Sequence, residues 1–383
     1  MKTLIKLLLV TTLLSLALFG KSIANEKVKI GLIVPLSGEY KEIGISVVQA
    51  MRMAINKIGD DKIVIKVKDN FANPINTLEA AEQLYSEGVK IIVGPVFNKN
   101  LALLSEFKDV TFVSFTNKIN GNPNNVISAG VNAISQINTI KKFQKKENLE
   151  RSIFLIPKTE FQSEIDYAIK KTKINLKDKF IYDTDPTKLT AQIEKITRYP
   201  QRKQNLIDEI NRVENSEDVN KEKKIETLKK KDTLGGINFD SVIIGDFEEN
   251  LKSVATSLLY TDVSSKRVKY ITLNQWFDPS LVKEKNLQPI YFPSVNDKNF
   301  QKFNNEYLSK FDKNSNQIAF LSYDIVGLIY YLLYKNDFII DKNLFYKENI
   351  FKGKIGIFEI NKNIITHKLN FYVVEDEKIK KIF

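Results

Sequence analysis

Short apolar runs alternate with segments of helical period over the first hundred residues of the chain. Val28–Val34 is a mostly apolar run typical of a buried strand, and apolar positions from Ile43 onward recur three and four residues apart, as on one face of a helix. A strand at 63–67, a helix at 76–86 and a strand at 89–93 continue the alternation. The order βαβαβ predicts a parallel sheet with helices packed on it.

The same alternation continues over the rest of the chain. A helix near 100–107 and a strand at 110–114 extend the first unit, and a strand at 126–129 crosses to a second one. The second unit has predicted helices at 134–145, 161–174, 187–196 and 250–259, and predicted strands at 152–156, 180–182, 239–244 and 268–273. A strand at 289–292 is expected to carry the chain back, and helices at 299–311 and 318–334 to complete the first unit.

The predicted fold class is therefore α/β, with two doubly wound parallel-sheet lobes joined by a multi-strand hinge. Lobe one takes residues 25–130 and 288–345, lobe two takes 131–287, and the C-terminal strands at 346–383 return toward lobe two and the hinge. Residues 198–232 interrupt the alternation with two amphipathic helical segments. We interpret them as a helical-hairpin insertion in lobe two, either a solvated excursion or an arm that docks a partner.

The first 24 residues predict export. Lys2 and Lys6 precede the apolar run 7–19, and Ser22-Ile23-Ala24 offers the small residues of a cleavage site before Asn25. Because the chain contains no cysteine, we expect no disulfide and no lipid-bearing cysteine. No other stretch is expected to span a bilayer. The sequence therefore predicts a signal peptide at 1–24 and a soluble periplasmic protein that is not a lipoprotein and has no integral membrane segment after cleavage.

Composition argues against several classes of function. The formal net charge is +12, but basic residues alternate with acidic ones, so nucleic-acid binding is not expected. His367 is the only histidine, which excludes zinc clusters and histidine-based triads, and we expect it at the surface or at the rim of a cleft. No phosphate loop or dinucleotide motif follows the first strand. We expect no enzyme and no cofactor; the alternative is a hydrolase using Asp60-Asp61 or Glu248-Glu249.

Several motifs in the first lobe resemble a known family. Pro35-Leu36-Ser37-Gly38, Asp69-Asn70 and Val93-Gly94-Pro95, in this order, resemble the leucine-binding type of type I periplasmic binding proteins. The resemblance implies a non-catalytic protein that closes two lobes on a small solute, such as an amino acid, for uptake with a membrane permease complex or for sensing.

Later motifs are similar to a particular branch of that family. Trp276-Phe277-Asp278-Pro279, Ser322-Tyr323-Asp324 and Phe351-Lys352-Gly353 resemble the penicillin-binding protein activators of alphaproteobacteria. This second resemblance implies the alternative function, a regulator of peptidoglycan synthesis that contacts a cell-wall synthase through its surface.

Topology places the expected solute site where the carboxyl ends of the parallel strands meet. The expected lining residues are Ser37, Gly38, Phe97, Asn98, Ser114 and Thr116 in lobe one, Asp246, Asn274 and Trp276 in lobe two, and Tyr323 in the late helix. The family resemblance implies a serine for the carboxylate of an amino acid and a lobe-two carboxylate for its ammonium. Phe97-Asn98 occupies the place of that serine, and Asp246 keeps the second role.

Overall fold

The computed structural model describes residues 27–273, 276–277 and 279–383. The predicted signal peptide and the predicted site residue Asn274 lie outside these ranges.

A five-stranded parallel sheet forms the centre of lobe one. Its strands are β1 (Val28–Val34), β2 (Ile63–Asp69), β3 (Ile91–Val93), β4 (Thr111–Ser114) and β5 (Val126–Ser128), in the order β2-β1-β3-β4-β5. The helices α1 (Lys41–Ile58) and α2 (Pro74–Ser86) follow β1 and β2, so the predicted βαβαβ unit is confirmed.

Two details of lobe one differ from or refine the prediction. The helix predicted near 100–107 is wrong, because Asn98–Leu101 and Leu104–Glu106 are two short 3₁₀ segments. The approach of α1 to the end of β1 requires a glycine: a Cβ on Gly44 would lie 1.8 Å from the carbonyl oxygen of Pro35. The loop after β1 is therefore held tightly against the start of α1.

Lobe two is built on a seven-stranded sheet. The strands β6 (Ser152–Pro157), β7 (Asp178–Tyr182), β8 (Ser241–Ile244), β9 (Lys269–Thr272) and β10 (Ile290–Ser294) are parallel, and β14 (Asn370–Glu375) and β15 (Lys378–Lys381) pair antiparallel at one edge. The order is β15-β14-β10-β9-β8-β6-β7. Its helices are α3 (Ala133–Glu147), α4 (Gln162–Thr172), α5 (Pro186–Thr197), α8 (Glu248–Tyr260) and α9 (Pro279–Lys283).

One predicted crossing is displaced. The strand expected at 289–292 to return the chain to lobe one is β10, which pairs with β9 and β14 inside the second sheet. The return to lobe one therefore follows Ser294 instead of starting at residue 288. The sequence pattern could not reveal which sheet the strand joins, because a buried strand has the same apolar pattern in either sheet.

The returning chain completes lobe one with α10 (Asp297–Phe311) and α11 (Gln317–Lys335). α11 runs alongside α1, and its ends are held by Asn316 Nδ2 donating to Ser46 Oγ (2.5 Å) and by Tyr330 donating to Asp60 (2.6 Å). Within the described ranges, α11 alone is long and apolar enough to cross a membrane, with 61% of its most apolar window buried. This apolar composition was not singled out from the sequence, and burial against α1 is typical of a core helix, so the expectation that no further stretch spans a bilayer stays a prediction.

Two helices occupy the interval 198–232, α6 (Tyr199–Glu214) and α7 (Lys221–Lys229). Leu206, Val213 and Leu228 form their shared apolar seam. Arg202 joins this hairpin to lobe two: its guanidinium is almost fully buried and donates to the Thr197 carbonyl (3.0 Å), to Thr233 Oγ1 (3.0 Å) and to the Thr261 carbonyl. The hairpin is thus anchored at its base by one buried cation.

Replacing Arg202 with alanine should lower the free energy of unfolding by about 2 kcal/mol, because buried acceptors lose their donor. The matched control is Arg212→Ala, since Arg212 is exposed and pairs with Glu209 one turn away on the same helix. It should change stability by less than about 1 kcal/mol. Urea unfolding measures both variants, and an equal effect of the two would contradict the anchoring role.

The hinge is organised around the only histidine. A three-stranded antiparallel sheet, β11 (Asn349–Lys352), β12 (Ile357–Asn361) and β13 (Ile364–Lys368), stands beside the first crossing between the lobes. His367 Nε2 lies 2.9 Å from the Ala129 carbonyl oxygen, its backbone N–H donates to Ser135 Oγ (2.8 Å), and Asn132 Nδ2 donates to the Ile365 carbonyl (2.7 Å). β13 therefore ties the end of lobe one to the start of lobe two.

His367 is 4% exposed, so the expectation that it lies at the surface or a rim is wrong. Burial lowers its pKa from 6.5 to about 4, although the backbone carbonyls of Ala129 and Gly130 act in the opposite direction. The side chain is neutral at neutral pH and serves as a structural donor in the hinge.

Candidate functional site

The carboxyl edges of the two parallel sheets lie on the side where the lobes meet. The loop after β4 belongs to lobe one and the start of α4, which follows β6, belongs to lobe two. Glu164 of α4 accepts the backbone N–H groups of Ile119 (3.0 Å) and Asn120 (2.8 Å) from that loop. The interlobe cleft is therefore bounded by the loops at these two edges, as topology predicts.

On the lobe-one side, the loops after β1 and β3 touch each other. The rings of Tyr40 and Phe97 pack edge to face with their centroids 4.7 Å apart. The Asp69 carboxylate accepts the N–H of Leu36 (2.8 Å), and it also binds Ser37. Burial raises the pKa of Asp69, but these hydrogen bonds outweigh burial and leave it lowered. Ser37 is thus held in the loop after β1 by an ionised carboxylate.

The remaining predicted residues of lobe one are of two kinds: some are accessible at the loops, and others are buried and hold those loops in place. Gly38 is exposed with φ +74°, and Asn98 is half-buried at the first turn after Phe97. Ser114 is fully buried and donates to the Pro95 carbonyl (2.7 Å) while accepting the N–H of Thr116 (3.2 Å). Thr116 Oγ1 accepts the Lys118 N–H (3.2 Å). Ser114 and Thr116 therefore use their hydroxyls to hold the loop after β4.

On the lobe-two side, Asp246 follows β8 and is 6% exposed. Its carboxylate accepts the Tyr182 hydroxyl (2.7 Å) and the Phe247 N–H (3.0 Å). Burial first, and then the hydrogen bond to Asp246, raise the pKa of Tyr182. A buried carboxyl group therefore follows β8 in lobe two and is held by the phenol of Tyr182.

Trp276 and Phe277 form the loop after β9, both with positive φ (49° and 61°). Trp276 is half-buried, whereas Phe277 is buried with its ring centroid 6.1 Å from Phe300 of α10 and 5.1 Å from Tyr372 of β14. Phe277 thus links lobe two to the first helix after the second crossing. Trp276 is the residue that the sequence predicts at the wall, whereas the contacts of Phe277 have no signal in the sequence.

Tyr323 is not brought to these walls. Its ring lies 5.5 Å from Phe303 of α10 and 4.6 Å from the ammonium of Lys354, in a groove between α1, α10 and α11. The expectation that it lines the solute cleft is wrong, because the face of α11 that carries Tyr323 turns toward α10.

Glu164 was missed from the sequence. It is 2% exposed and lies on the apolar face of α4 with Ile165 and Ala168, where a charged side chain is unusual. That position was the available signal, but its partners in the loop after β4 lie 44 and 45 residues away. Among the described residues, no group of three His, Cys, Asp or Glu side chains could hold a metal ion.

Known proteins share this architecture. Residues 27–176 match the sequence profile of a periplasmic binding protein family. A Leu/Ile/Val-binding protein from Rhizobium johnstonii is 30% identical over 98 residues, which are 24% of this chain and 26% of that relative's length. The chain therefore spans about a quarter of the curated relative it matches.

Solved structures match over most of the chain at low identity. A putative branched-chain amino acid ABC transporter from Rhodospirillum rubrum has a TM-score of 0.66 at 12% identity, covering 93% of this chain and all of that one. The leucine-binding protein LivK of Thermotoga maritima has 0.56 at 13%, covering 93% and 98%. The C-domain of LpoA from Haemophilus influenzae, a regulator of PBP1A, has 0.58 at 13%, covering 93% and 100%. This chain has the type I periplasmic binding protein fold.

Proposed function

We propose that the protein is a non-catalytic solute receptor that binds an amino acid or a related small cation-bearing molecule between its two lobes. The observation that carries the proposal is the buried Asp246 carboxylate directly after β8, at the carboxyl edge of the lobe-two sheet. A carboxylate in a poorly solvated cleft favours a ligand that brings an ammonium group, because hydrogen bonds between oppositely charged groups are stronger than neutral ones.

The aromatic groups at the cleft edges support a ligand with an apolar part. Tyr40 and Phe97 form one apolar surface in lobe one; in lobe two, Phe247 directly follows Asp246, and Trp276 lies in the loop after the neighbouring strand β9. Pockets of this kind bind through apolar contact and use a few polar groups for orientation. The names of the leucine-binding relatives agree with an amino-acid ligand. We propose uptake or sensing in the periplasm as the role, after cleavage of residues 1–24.

Replacing Asp246 with asparagine should weaken binding of the solute by about tenfold or more, because a buried charge pair loses one partner. Asp240→Asn is the matched control, since Asp240 lies at the opposite end of the same strand and accepts the Arg151 N–H (2.9 Å). Isothermal titration measures both affinities. An unchanged affinity in Asp246→Asn would reject the anion as the ammonium site.

Trp276 offers an independent measure of solute binding, because it is the only tryptophan of the chain. We expect its fluorescence to shift when the solute binds, and we expect Trp276→Ala to weaken binding more than it lowers stability. Loss of several kcal/mol of stability with normal affinity would place the indole in the core instead, as large aromatic truncations there cost ~3–5 kcal/mol.

A second candidate function is regulation of a cell-wall synthase by surface contact. The likeness to the LpoA C-domain supports it, and so do Ile207 and Val219 of the α6–α7 hairpin, whose side chains are 46% and 98% exposed. Capture of the synthase by the wild type and its loss in Ile207→Asp with Val219→Asp would favour this function. Capture by neither protein would reject it, and equal capture by both would exclude the hairpin as the docking surface.

A further inference from the structure

A groove between three helices of lobe one carries an unbalanced positive charge. Its volume is about 440 Å³, and it lies between α1, α10, α11 and the segment 351–354. Four lysines line it, Lys57, Lys302, Lys352 and Lys354, against the single acid Asp324. Two larger grooves elsewhere are near balance: one of about 730 Å³ is lined by four basic and four acidic residues, and one of about 830 Å³ by three basic and two acidic residues.

The lysines of this groove are largely without counterions. Lys354 pairs with Glu306 (2.8 Å), but Lys57, Lys302 and Lys352 form no ion pair within the described ranges. Like charges gathered around one concave space raise the local potential, and an anion seated there would relieve the repulsion.

The segment that carries Lys352 and Lys354 is held in place by a buried carboxylate. Asp324, 2% exposed, accepts the backbone N–H groups of Lys354 (2.8 Å) and Ile355 (2.6 Å). A Cβ on Gly353 would lie 2.3 Å from Asp324 Oδ2, so glycine permits this close approach. Two motifs far apart in the sequence, 322–324 and 351–353, thus meet here and set the position of the cationic segment.

The groove also offers apolar surface. Phe351 and Tyr323 both line it, and the Lys354 ammonium lies 4.6 Å from the centroid of the Tyr323 ring. A ligand with one apolar or planar end could contact these rings while its anionic end meets the ammonium groups.

We propose that this groove is a second binding site, distinct from the interlobe cleft, for a small phosphate-bearing molecule with an apolar portion. The phosphate dianion contacts Lys57, Lys302 and Lys352, and the apolar portion lies against Phe351. Asp324 is a positioning residue that holds the 352–354 segment. The site does not depend on the function proposed for the cleft.

The test uses the full chain and two probes, inorganic phosphate and phenyl phosphate, titrated by calorimetry at low salt. The groove variant K57Q/K302Q/K352Q should bind phenyl phosphate about tenfold more weakly than the wild type. Each exposed charge contact contributes only part of this change in the dissociation constant, so all three lysines are replaced together. The surface variant K142Q/K170Q/K310Q removes the same net charge from exposed helical positions and should bind like the wild type.

Phe351→Ala should remove the preference for phenyl phosphate over inorganic phosphate and leave inorganic phosphate binding unchanged. Thermal melts of each variant verify folding. Absence of binding to the wild type at millimolar probe, or an equal loss in the groove and surface variants, would overturn the proposal. Asp246→Asn should bind phenyl phosphate normally, so failure at the cleft and failure at this groove remain distinguishable.

Discussion

Replacing Glu164 with alanine should separate the two lobes in solution and increase the radius of gyration measured by small-angle X-ray scattering. Glu164 is buried and accepts two backbone N–H groups from the opposite lobe, those of Ile119 and Asn120. Hydrogen bonds to a charged group contribute about 1.5–3 kcal/mol each, so removing both should weaken the interlobe contact by about 3–5 kcal/mol. Because closure lets both walls contact the solute, a variant whose lobes stay open should also bind it more weakly.

The matched control is Glu160→Ala. Glu160 contacts the same loop through Lys118 (3.4 Å), but its side chain is 92% exposed. An exposed pair of this kind contributes less than about 1 kcal/mol, so the scattering profile should not change. A Glu164→Ala profile that superimposes on the wild type would show that Glu164 does not hold the lobes together.

Two buried titratable groups should act on stability in opposite directions as the pH falls. His367 has a folded pKa of about 4 and an unfolded value of 6.5, so its contribution is present above pH 6.5 and is lost as the pH falls toward 4. Asp324 has a folded pKa of about 6, raised by burial, against 3.8 unfolded. Its contribution is absent above pH 6 and is gained as the pH falls toward 3.8. Each change is about 3 kcal/mol.

Variants separate the two contributions. Relative to the wild type, His367→Gln should gain about 3 kcal/mol of stability between pH 7 and pH 4, and Asp324→Asn should lose about 3 kcal/mol over the same interval. The two variants therefore diverge by about 6 kcal/mol in their pH dependence, whatever their stability at pH 7. Urea unfolding at pH 7, 5.5 and 4 provides the measurement, and parallel curves for all three proteins would contradict the burial of both groups.

Periodicity predicted the elements of the fold well, because each lobe alternates buried strands with amphipathic helices. β1 has the predicted bounds, and the first lobe differs mainly where 98–106 forms short 3₁₀ segments. Sheet membership is set by pairing between distant strands, which local apolarity does not reveal. The assignment of β10 to lobe one therefore failed, although the strand itself was found.

The candidate site was predictable only in outline. The rule for the carboxyl ends of parallel strands located the loops that contain Ser37, Phe97 and Asp246. It could not distinguish wall from support, so Ser114 was expected at the wall although its hydroxyl holds the Pro95 carbonyl. Glu164 was missed and His367 was expected at the surface, because each side chain is held by hydrogen-bond partners more than 40 residues away in the sequence. Such contacts have no local sequence signal.

We propose above all that a small solute binds between the lobes at Asp246. Thermal melts of the wild type and of Asp246→Asn against amino acids, amides and muropeptides provide the test. We predict that at least one compound with an ammonium group stabilises the wild type, by ~2.7 kcal/mol at 100 times its Kd, and that Asp246→Asn loses most of this stabilisation. If no compound raises the melting temperature of the wild type, or if one raises it equally in both proteins, the claim is contradicted.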